Sequence, residues 1–226
     1  MVNKKNSISL SNDTAYLSGL IIGDGNLSNY TKSKTDLSRD YRIYIDLSDF
    51  EYVYYLEKLI KSLIITKSKP VQAKQRGIRK PRLILQIRNK ELFQFLNEVM
   101  EIPKGNKCAI IRVPNIILNS SSSIKKSFVA GYFDADGGFR SGTIGFTSAS
   151  NKLLEGISLL LNEFNIDHSM EKWINKKYGK EYYGIRIKKN QIVNFLNRFR
   201  LRNKNKLDII TNRFFCGGAG VAKRDR

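Results

Sequence analysis

The stretch LSGLIIGDG at residues 17–25 decides the fold, because the chain carries a second version of it, VAGYFDADG at residues 129–137. The two stretches align when Asp24 is placed on Asp136, a shift of 136 − 24 = 112 residues. Each predicts the second half of an apolar helix that ends in Asp-Gly, with the last glycine suited to a left-handed position. The sequence therefore predicts two equivalent helices.

A glycine lies inside each predicted helix, at Gly19 and Gly131, although glycine destabilises a helix interior by about 1 kcal/mol relative to alanine. The small residues Gly23 and Ala135 follow four positions later. Each helix thus carries a stripe of small side chains along which another backbone can approach closely. We expect the two helices to pack side by side through these stripes.

Asp24 and Asp136 stand at the C-terminal ends of the predicted helices, where the helix dipole disfavours a carboxylate by a few tenths to about 1 kcal/mol. Side-by-side packing would bring both carboxylates to one place. Such a pair needs a cation between its members, and hard oxygen ligands suit Mg²⁺. The alternative is two buried helices that end in ordinary surface turns, and the repetition of the pattern disfavours it.

The remainder of the chain also repeats. The alternating residues 42–48 predict a half-exposed strand that returns at residues 143–147, a shift of 101. The strand at residues 83–88 returns at residues 183–188, a shift of 100. The predicted fold class is α+β, built from tandem αββαββα repeats related by a pseudo-twofold axis. Two antiparallel sheets would form a DNA-binding saddle, with the motif helices packed at the domain interface.

A stretch containing proline and a run of serines separates the two copies of the repeat. It predicts the domain boundaries. The predicted units are an N-terminal repeat at residues 1–112, a linker at 113–123, a C-terminal repeat at 124–215 and a flexible tail at 216–226.

Composition narrows the class of partner. Lys and Arg number 40 against 20 Asp and Glu, a net charge of +20, which indicates a polyanion and nucleic acid in particular. Two cysteines are too few for a disulfide framework or a zinc cluster, and the single histidine, His168, disfavours nucleases that use histidine. With neither a long apolar run nor a signal peptide, we expect no membrane contact and an intracellular protein of a prokaryotic cytoplasm or organelle matrix.

The predicted sheets have an apolar face toward the helices and a polar, basic face outward. Two such faces related by a pseudo-twofold axis fit double-stranded DNA with a long, pseudo-palindromic target, because an antiparallel ribbon fits the major groove. For a single lysine, the alternative is a solvated surface charge. The candidate DNA-binding residues are Arg42, Tyr44, Asp46, Lys74, Arg76, Arg79, Arg82, Arg88, Arg140 and Lys188.

Both glycine-containing stretches resemble the LAGLIDADG motif, which names a family of homing endonucleases, and each agrees with it at six of nine positions. Two motifs in one chain resemble the single-chain type of that family. The resemblance implies a metal-dependent, intron-encoded endonuclease that cuts both strands of a specific DNA site by phosphodiester hydrolysis. The duplication supplies internally what a homodimer would supply by symmetry, so we expect a monomer.

The resemblance also implies roles for individual residues and ions. Mg²⁺ is the expected cofactor, with Mn²⁺ able to replace it and Ca²⁺ able to bind without supporting cleavage. Asp134 matches the acid at the sixth motif position and Ile22 does not, so neither is assigned a catalytic role. The implied catalytic residues are Asp24, Asp136, Gln86 and Arg186, and the implied metal ligands are Asp24, Asp136 and the carbonyls of Gly23 and Ala135.

Three alternatives remain within this resemblance. Some LAGLIDADG proteins are maturases that assist intron splicing, which makes intron RNA a second candidate partner. Others are DNA-binding regulators that keep the fold without cleavage and typically lose one or both acids, whereas Asp24 and Asp136 are both present here. An intein is disfavoured because no splicing block flanks the repeat and the chain begins with methionine.

Overall fold

The computed structural model describes residues 8–31, 38–74, 81–140, 142–176 and 179–214. The predicted tail lies outside these residues. The first half consists of α1 (Asn12–Asp24), β1 (Gly25–Thr31), β2 (Arg39–Leu47), α2 (Phe50–Leu63), β3 (Pro70–Gln72), β4 (Leu83–Ile87) and α3 (Lys90–Gln94), which continues as a π-helical turn (Phe95–Val99).

The second half repeats this order of elements. A short helix, α4 (Asn115–Leu118), precedes it within the segment predicted as the linker, where Ile117 is buried in the core. The second half consists of α5 (Ser122–Asp136), β5 (Gly138–Arg140), β6 (Thr143–Ser148), α6 (Asn151–Glu163), β7 (His168–Asn175), β8 (Lys180–Ile187), a 3₁₀ turn (Lys189–Gln191), α7 (Ile192–Arg198) and α8 (Lys204–Phe214).

Each half contains one four-stranded antiparallel sheet. The strand order is β1-β2-β4-β3 in the first sheet and β5-β6-β8-β7 in the second, so the two sheets have the same topology. The register matches as well, because Asn26 pairs with Tyr44 in the first sheet and the equivalent residues Gly138 and Gly145 pair in the second. The predicted α+β class and the two antiparallel sheets are confirmed.

The two central helices, α1 and α5, pack through the predicted small residues. A Cβ atom at Gly19 would lie 2.8 Å from the Tyr132 nitrogen of α5, and one at Gly131 would lie 2.8 Å from the Tyr16 carbonyl carbon of α1. These separations leave no room for a side chain, so glycine is required at both positions by the close approach of the backbones.

The prediction of left-handed glycines after the two helices was wrong. Gly25 has φ −95° and Gly137 has φ −76°, both in the extended region, because a strand begins almost directly after each helix. Glycine is required there for a different reason. A Cβ atom at Gly25 would lie 2.7 Å from Ile21, and one at Gly137 would lie 2.7 Å from the Phe133 carbonyl oxygen, because the chain folds back against the last helical turn.

The strands bury alternate side chains, as their sequence pattern predicts. The cross-strand pairs Ile43–Ile87 and Ile45–Leu85 are buried beneath the helices. Tyr44, which faces the opposite way, pairs with Gln86 on the outer surface. This alternation leaves a polar outer face on the sheet. Among the described residues, no helix is long and apolar enough to cross a membrane.

Candidate active site

Asp24 and Asp136 end the two packed helices and are brought together by them. A Cβ atom at Gly23 would meet the side chain of Ala135 and would lie 3.2 Å from Oδ2 of Asp136. The carboxylate of the second helix therefore lies against the residue that precedes Asp24. The helix stripes thus place both predicted acids at one site, one from each half of the chain.

The pKa values of both acids are raised. Burial is the main cause for Asp24, and the nearby Asp46 raises its pKa further, while lysines lower it. The pKa of Asp136 is raised to about 6 by burial and by the negative charge of Asp24. The Asp136 side chain keeps contact with solvent although protein surrounds it on most sides. Two acids that oppose each other's ionisation form a site suited to a cation.

Lys206 lies beneath the acids and binds the end of α5. Its ammonium nitrogen lies 2.7 to 2.9 Å from four backbone carbonyl oxygens, so its three N–H groups serve four acceptors and one N–H is shared between two of them. The acceptors belong to Phe133, Asp134, Ala135 and Gly137. Lys206 therefore neutralises the negative end of the helix dipole at the point where Asp136 projects.

Lys107 occupies the corresponding place at the end of α1. Its side chain is buried, with 8% of its surface exposed, and its ammonium group donates a hydrogen bond to the Gly25 carbonyl oxygen. Burial lowers the pKa of both Lys107 and Lys206, and the acids nearby oppose this effect. The cation that the two carboxylates require is thus supplied in part by two lysines of the chain itself.

The two lysines also connect the halves. Among the cations, Lys206 lowers the pKa of Asp24 most, and Lys107 lowers that of Asp136 most. Each lysine therefore binds the helix end of its own half, and its charge lowers the pKa of the acids of both halves. Because each lysine interacts with both acids, removing one of these four charges should change the pKa values of groups in both halves.

Neither lysine was predicted from the sequence, although the repeat contains a signal for both. They are separated by 206 − 107 = 99 residues, close to the shift of 100 between the strands that precede them. The chain contains many lysines, so a pair at matched positions of the two halves is no signal by itself. It becomes one only when the groups that the lysines bind are known. Those partners are backbone carbonyls, which have no sequence pattern.

The donors at this site fit a divalent metal ion only in part. Among the described residues no group of three His, Cys, Asp or Glu side chains could hold a metal. Two carboxylates with the Gly23 carbonyl nevertheless suit Mg²⁺, which is commonly held by one or two carboxylates and completed by substrate phosphates. The Ala135 carbonyl, also predicted as a ligand, accepts a hydrogen bond from Lys206 at 2.9 Å, and a carbonyl oxygen has two lone pairs.

Gln86 and Arg186 occupy equivalent positions on the outer faces of their sheets. Gln86 pairs with Tyr44 in the first sheet, and Arg186 pairs with Gly145 in the second. In each sheet the residue belongs to a row of cross-strand neighbours. The row begins two residues after the aspartate that ends the motif helix, at Asn26 in the first half. The structure therefore places Gln86 and Arg186 at equivalent register positions of the two sheets, and their catalytic roles stay a prediction.

Most DNA-binding candidates of the first half lie on the same outer face. Arg42 donates to Asp40 at 2.6 Å and stacks over the Tyr30 ring at 5.5 Å. Arg82 and Asp46 form a bidentate ion pair, with Nε 2.8 Å from Oδ1. The other described candidates of this half are Tyr44, Lys74 and Arg88, whereas Arg76 and Arg79 lie outside the described residues.

The two candidates of the second half differ in their surroundings. Arg140 is partly buried, donates to Glu171 at 2.6 Å and lies over the Trp173 ring at 4.2 Å. Lys188 is exposed at the end of β8 and pairs with Asp167 at 3.3 Å. Both therefore have protein partners that a phosphate would have to displace or share.

Solved structures of two homing endonucleases share this fold. A structure of mesophilic variants of I-DmoI has a TM-score of 0.64 and 22% identity, covering 84% of this chain and 96% of that chain. I-DmoI in complex with DNA and Mn has a TM-score of 0.62 and 23% identity, covering 84% and 97%. I-WcaI bound to its DNA recognition sequence has a TM-score of 0.61 and 17% identity, covering 93% and 89%.

Sequence comparisons find a LAGLIDADG-like domain at residues 123–200. A probable translation initiation factor IF-2 of Methanocaldococcus jannaschii is 32% identical over 127 residues, which are 51% of this chain and 11% of that protein. The replication factor C small subunit of the same organism is 28% identical over 122 residues, 54% of this chain and 6% of that protein. The chain thus spans about a tenth or less of the length of these curated relatives.

Proposed function

We propose that this chain, a LAGLIDADG-family protein in its fold and in the domain at residues 123–200, is a site-specific endonuclease of double-stranded DNA. The observation that carries the proposal is the meeting of Asp24 and Asp136 at adjacent ends of two packed helices. Each half of the chain contributes one acid. A site with one acid for each strand matches the symmetry of a duplex.

Asp24 and Asp136, with the Gly23 carbonyl, would hold divalent metal. When bound, Mg²⁺ would supply an activated water and stabilise the leaving oxygen of a phosphodiester. The residues of the chain would hold the ion and supply positive charge. The carboxylates must be ionised to hold the ion, and Lys107 and Lys206 keep the helix ends fixed while placing positive charge near the position of a phosphate.

The outer faces of the two sheets would hold the duplex. They carry Arg42, Arg82 and Arg186 beside polar side chains, and the strand rows run directly from the acids. The DNA-bound structures of I-DmoI and I-WcaI support this placement, because those proteins have the same fold. Structures of I-DmoI with Mn and Ca also support the use of divalent metal. One chain contains both halves of the site, so the active species would be a monomer.

The curated relatives do not extend this proposal to translation or replication. Their names describe different activities, while the segment they share with this chain is a small part of each. The shared segment is therefore a module common to otherwise different proteins. A non-cleaving regulator is a weaker candidate, because the structure keeps both acids together and adds two lysines at matched positions.

The test is selection of a target from DNA duplexes that carry a randomised segment. The protein would be incubated with the pool and Mg²⁺, and the cut ends would be sequenced. We expect one long target, cut on both strands at fixed positions, and no cut ends when a chelator removes the metal. Failure to recover any cut sequence, or cutting that persists in the chelator, would contradict the proposal. Selective binding without cutting would favour the regulator.

A further inference from the structure

Asp134 is buried within α5, with 2% of its surface exposed. Its Oδ2 accepts hydrogen bonds from the Tyr16 hydroxyl at 2.5 Å, the Arg202 N–H at 2.7 Å and the Asn203 N–H at 3.1 Å. Its Oδ1 has no hydrogen-bond partner among the described residues. A buried carboxylate with an unpaired oxygen is costly, so the hydrogen bonds of its other oxygen must offset that cost or serve a further role.

The two backbone donors lie directly before α8. The side chain of Asp134 therefore binds the chain at the point where that helix begins. Asn203 completes the start, because its side chain accepts the N–H of Lys206 at 3.0 Å. Lys206 lies in the first turn of α8, and its side chain returns to the carbonyls at the end of α5, including that of Ala135 at 2.9 Å. The two helices therefore hold each other through one acid and one lysine.

The first half is built differently. Ile22 takes the position that matches Asp134 (134 − 112 = 22), and Lys107 reaches the end of α1 from an irregular segment rather than from a helix. The buried acid thus occurs in the half whose lysine lies on a separate helix that needs to be held. Among the nearby acids, Asp134 raises the pKa of Lys206 most.

We infer that Asp134 is a positioning residue: by holding the start of α8 it fixes Lys206 at the end of α5, and through Lys206 it fixes Asp136. The catalytic consequence of this inference rests on the proposed nuclease function. The link between Asp134 and Lys206 does not, and it can be measured in the free protein.

The first test uses nuclear magnetic resonance of protein labelled with ¹⁵N-lysine. An ammonium group held by carbonyls away from bulk water exchanges its protons slowly, so Lys206 should give a signal that disappears in Lys206→Met. We expect Asp134→Asn, which keeps an acceptor oxygen for the two N–H groups, to retain the signal and Asp134→Ala to lose it. A signal that survives Asp134→Ala, or one lost in Asp134→Asn, would overturn the inference.

The second test measures single-turnover cleavage and duplex affinity. Asp134→Ala should slow cleavage about 10- to 100-fold, as loss of a residue that orients a ligand does, with duplex affinity unchanged. In a Lys206→Met background the same change should add less than about twofold, because the two residues act as one unit. Equal losses in both backgrounds would show a general structural role instead and would overturn the inference.

Asp13→Ala provides the matched control. Asp13 binds the side chain of Arg202 at 2.7 Å, whereas Asp134 binds the backbone of the same residue. We expect the control to keep both the Lys206 signal and the cleavage rate. If the wild-type protein cuts no DNA, the magnetic resonance test still decides the inference, and only the nuclease proposal fails. If Asp134→Ala does not fold, loss of the signal in a folded Asp134→Asn would still overturn the inference.

Discussion

The ends of α1 and α5 carry the same groups in different surroundings. Both helices end in an aspartate whose pKa is raised, and in both a lysine from later in the same half binds carbonyls at the helix end. The duplication has kept these groups and changed their neighbours. Under the proposed function, the shared groups would be the ones that the reaction needs, and the changed neighbours would serve the separate contacts of each half.

The neighbours differ in charge as well as in identity. Asp46, beside Asp24, is bound by Arg82 of the same sheet. The matched residue of the second half is Thr147 (46 + 101 = 147), which carries no charge. There the charged pair is Arg140 with Glu171. Each half thus pairs one arginine with one carboxylate on its sheet, but only the pair of the first half acts on the pKa of its acid.

The largest effect should come from removing either lysine. Lys107→Met and Lys206→Met should each slow cleavage by on the order of 100-fold or more, because each removes a fixed positive charge from a partly dehydrated site. Since the charge of each lysine acts on the acids of both halves, nicking of both strands should slow. The measurement is single-turnover cleavage of a duplex labelled on each strand in turn.

Lys61→Met provides the control for the lysine prediction, because that lysine is exposed on α2 and pairs only with Glu57 among the described residues. It should cleave at the wild-type rate. Slowing confined to one strand in either site variant would mean that the halves work independently and would break the comparison.

The next largest effect concerns the contact between the halves. Gly19→Val and Gly131→Val should each destabilise the protein by about 1–3 kcal/mol or more, because a branched side chain overpacks two backbones in contact. The measurement is thermal denaturation. Gly138→Val is the control, since a Cβ atom at Gly138 meets nothing within 4 Å. Equal melting temperatures for all three variants would mean that α1 and α5 do not pack through this stripe.

A smaller effect is expected in the pH dependence of stability without metal. The pKa of Asp136 is about 6 in the folded chain against an ordinary value of 3.8, so the folded state binds more protons between these values. Stability should therefore fall as the pH rises from about 4 to about 6. Asp136→Asn should show a smaller fall, because the raised pKa of Asp24 remains, and should melt above the wild type at pH 7 in a chelator. A wild type that gains stability over that range relative to the variant would contradict the assignment.

Much of the fold could be predicted from the sequence, because its signals are local. Strand alternation at residues 42–48 and the glycines at 19 and 131 each have one simple physical reading, and the structure confirms both. The conformation of Gly25 was predicted wrongly, because glycine is required there by the close approach of the extended chain to Ile21 in the last helical turn and not by a positive φ.

The site was predicted less completely than the fold. The acids could be found because their position at a helix end conflicts with the dipole. Lys206 could not, because α8 was not foreseen and the lysine binds main-chain oxygens that no residue type reports. A pairing between a side chain and a distant backbone leaves a trace in the sequence only when it repeats, as the spacing of 99 does here.

The smallest effect should come from residues that differ between the halves. Gln86→Ala and Arg186→Ala should each reduce cleavage less than the lysine variants do, because these side chains lie in the neighbouring strand row rather than at the helix ends. Each should shift the ratio of the two nicked products, and in opposite directions. The measurement is strand-specific nicking on the same labelled duplex. An identical ratio in both variants would mean that these two positions do not distinguish the halves.

The central claim is that Asp24 and Asp136 form one metal-dependent site shared by both halves. Its most direct test is a supercoiled plasmid bearing the target, incubated with Mg²⁺ or Ca²⁺ and separated into intact, nicked and linear forms. The wild type should linearise the plasmid in Mg²⁺ and leave it intact in Ca²⁺. Asp24→Asn and Asp136→Asn should each abolish linearisation while keeping duplex affinity, and any residual product should be nicked. Full linearisation by the double variant would contradict the claim.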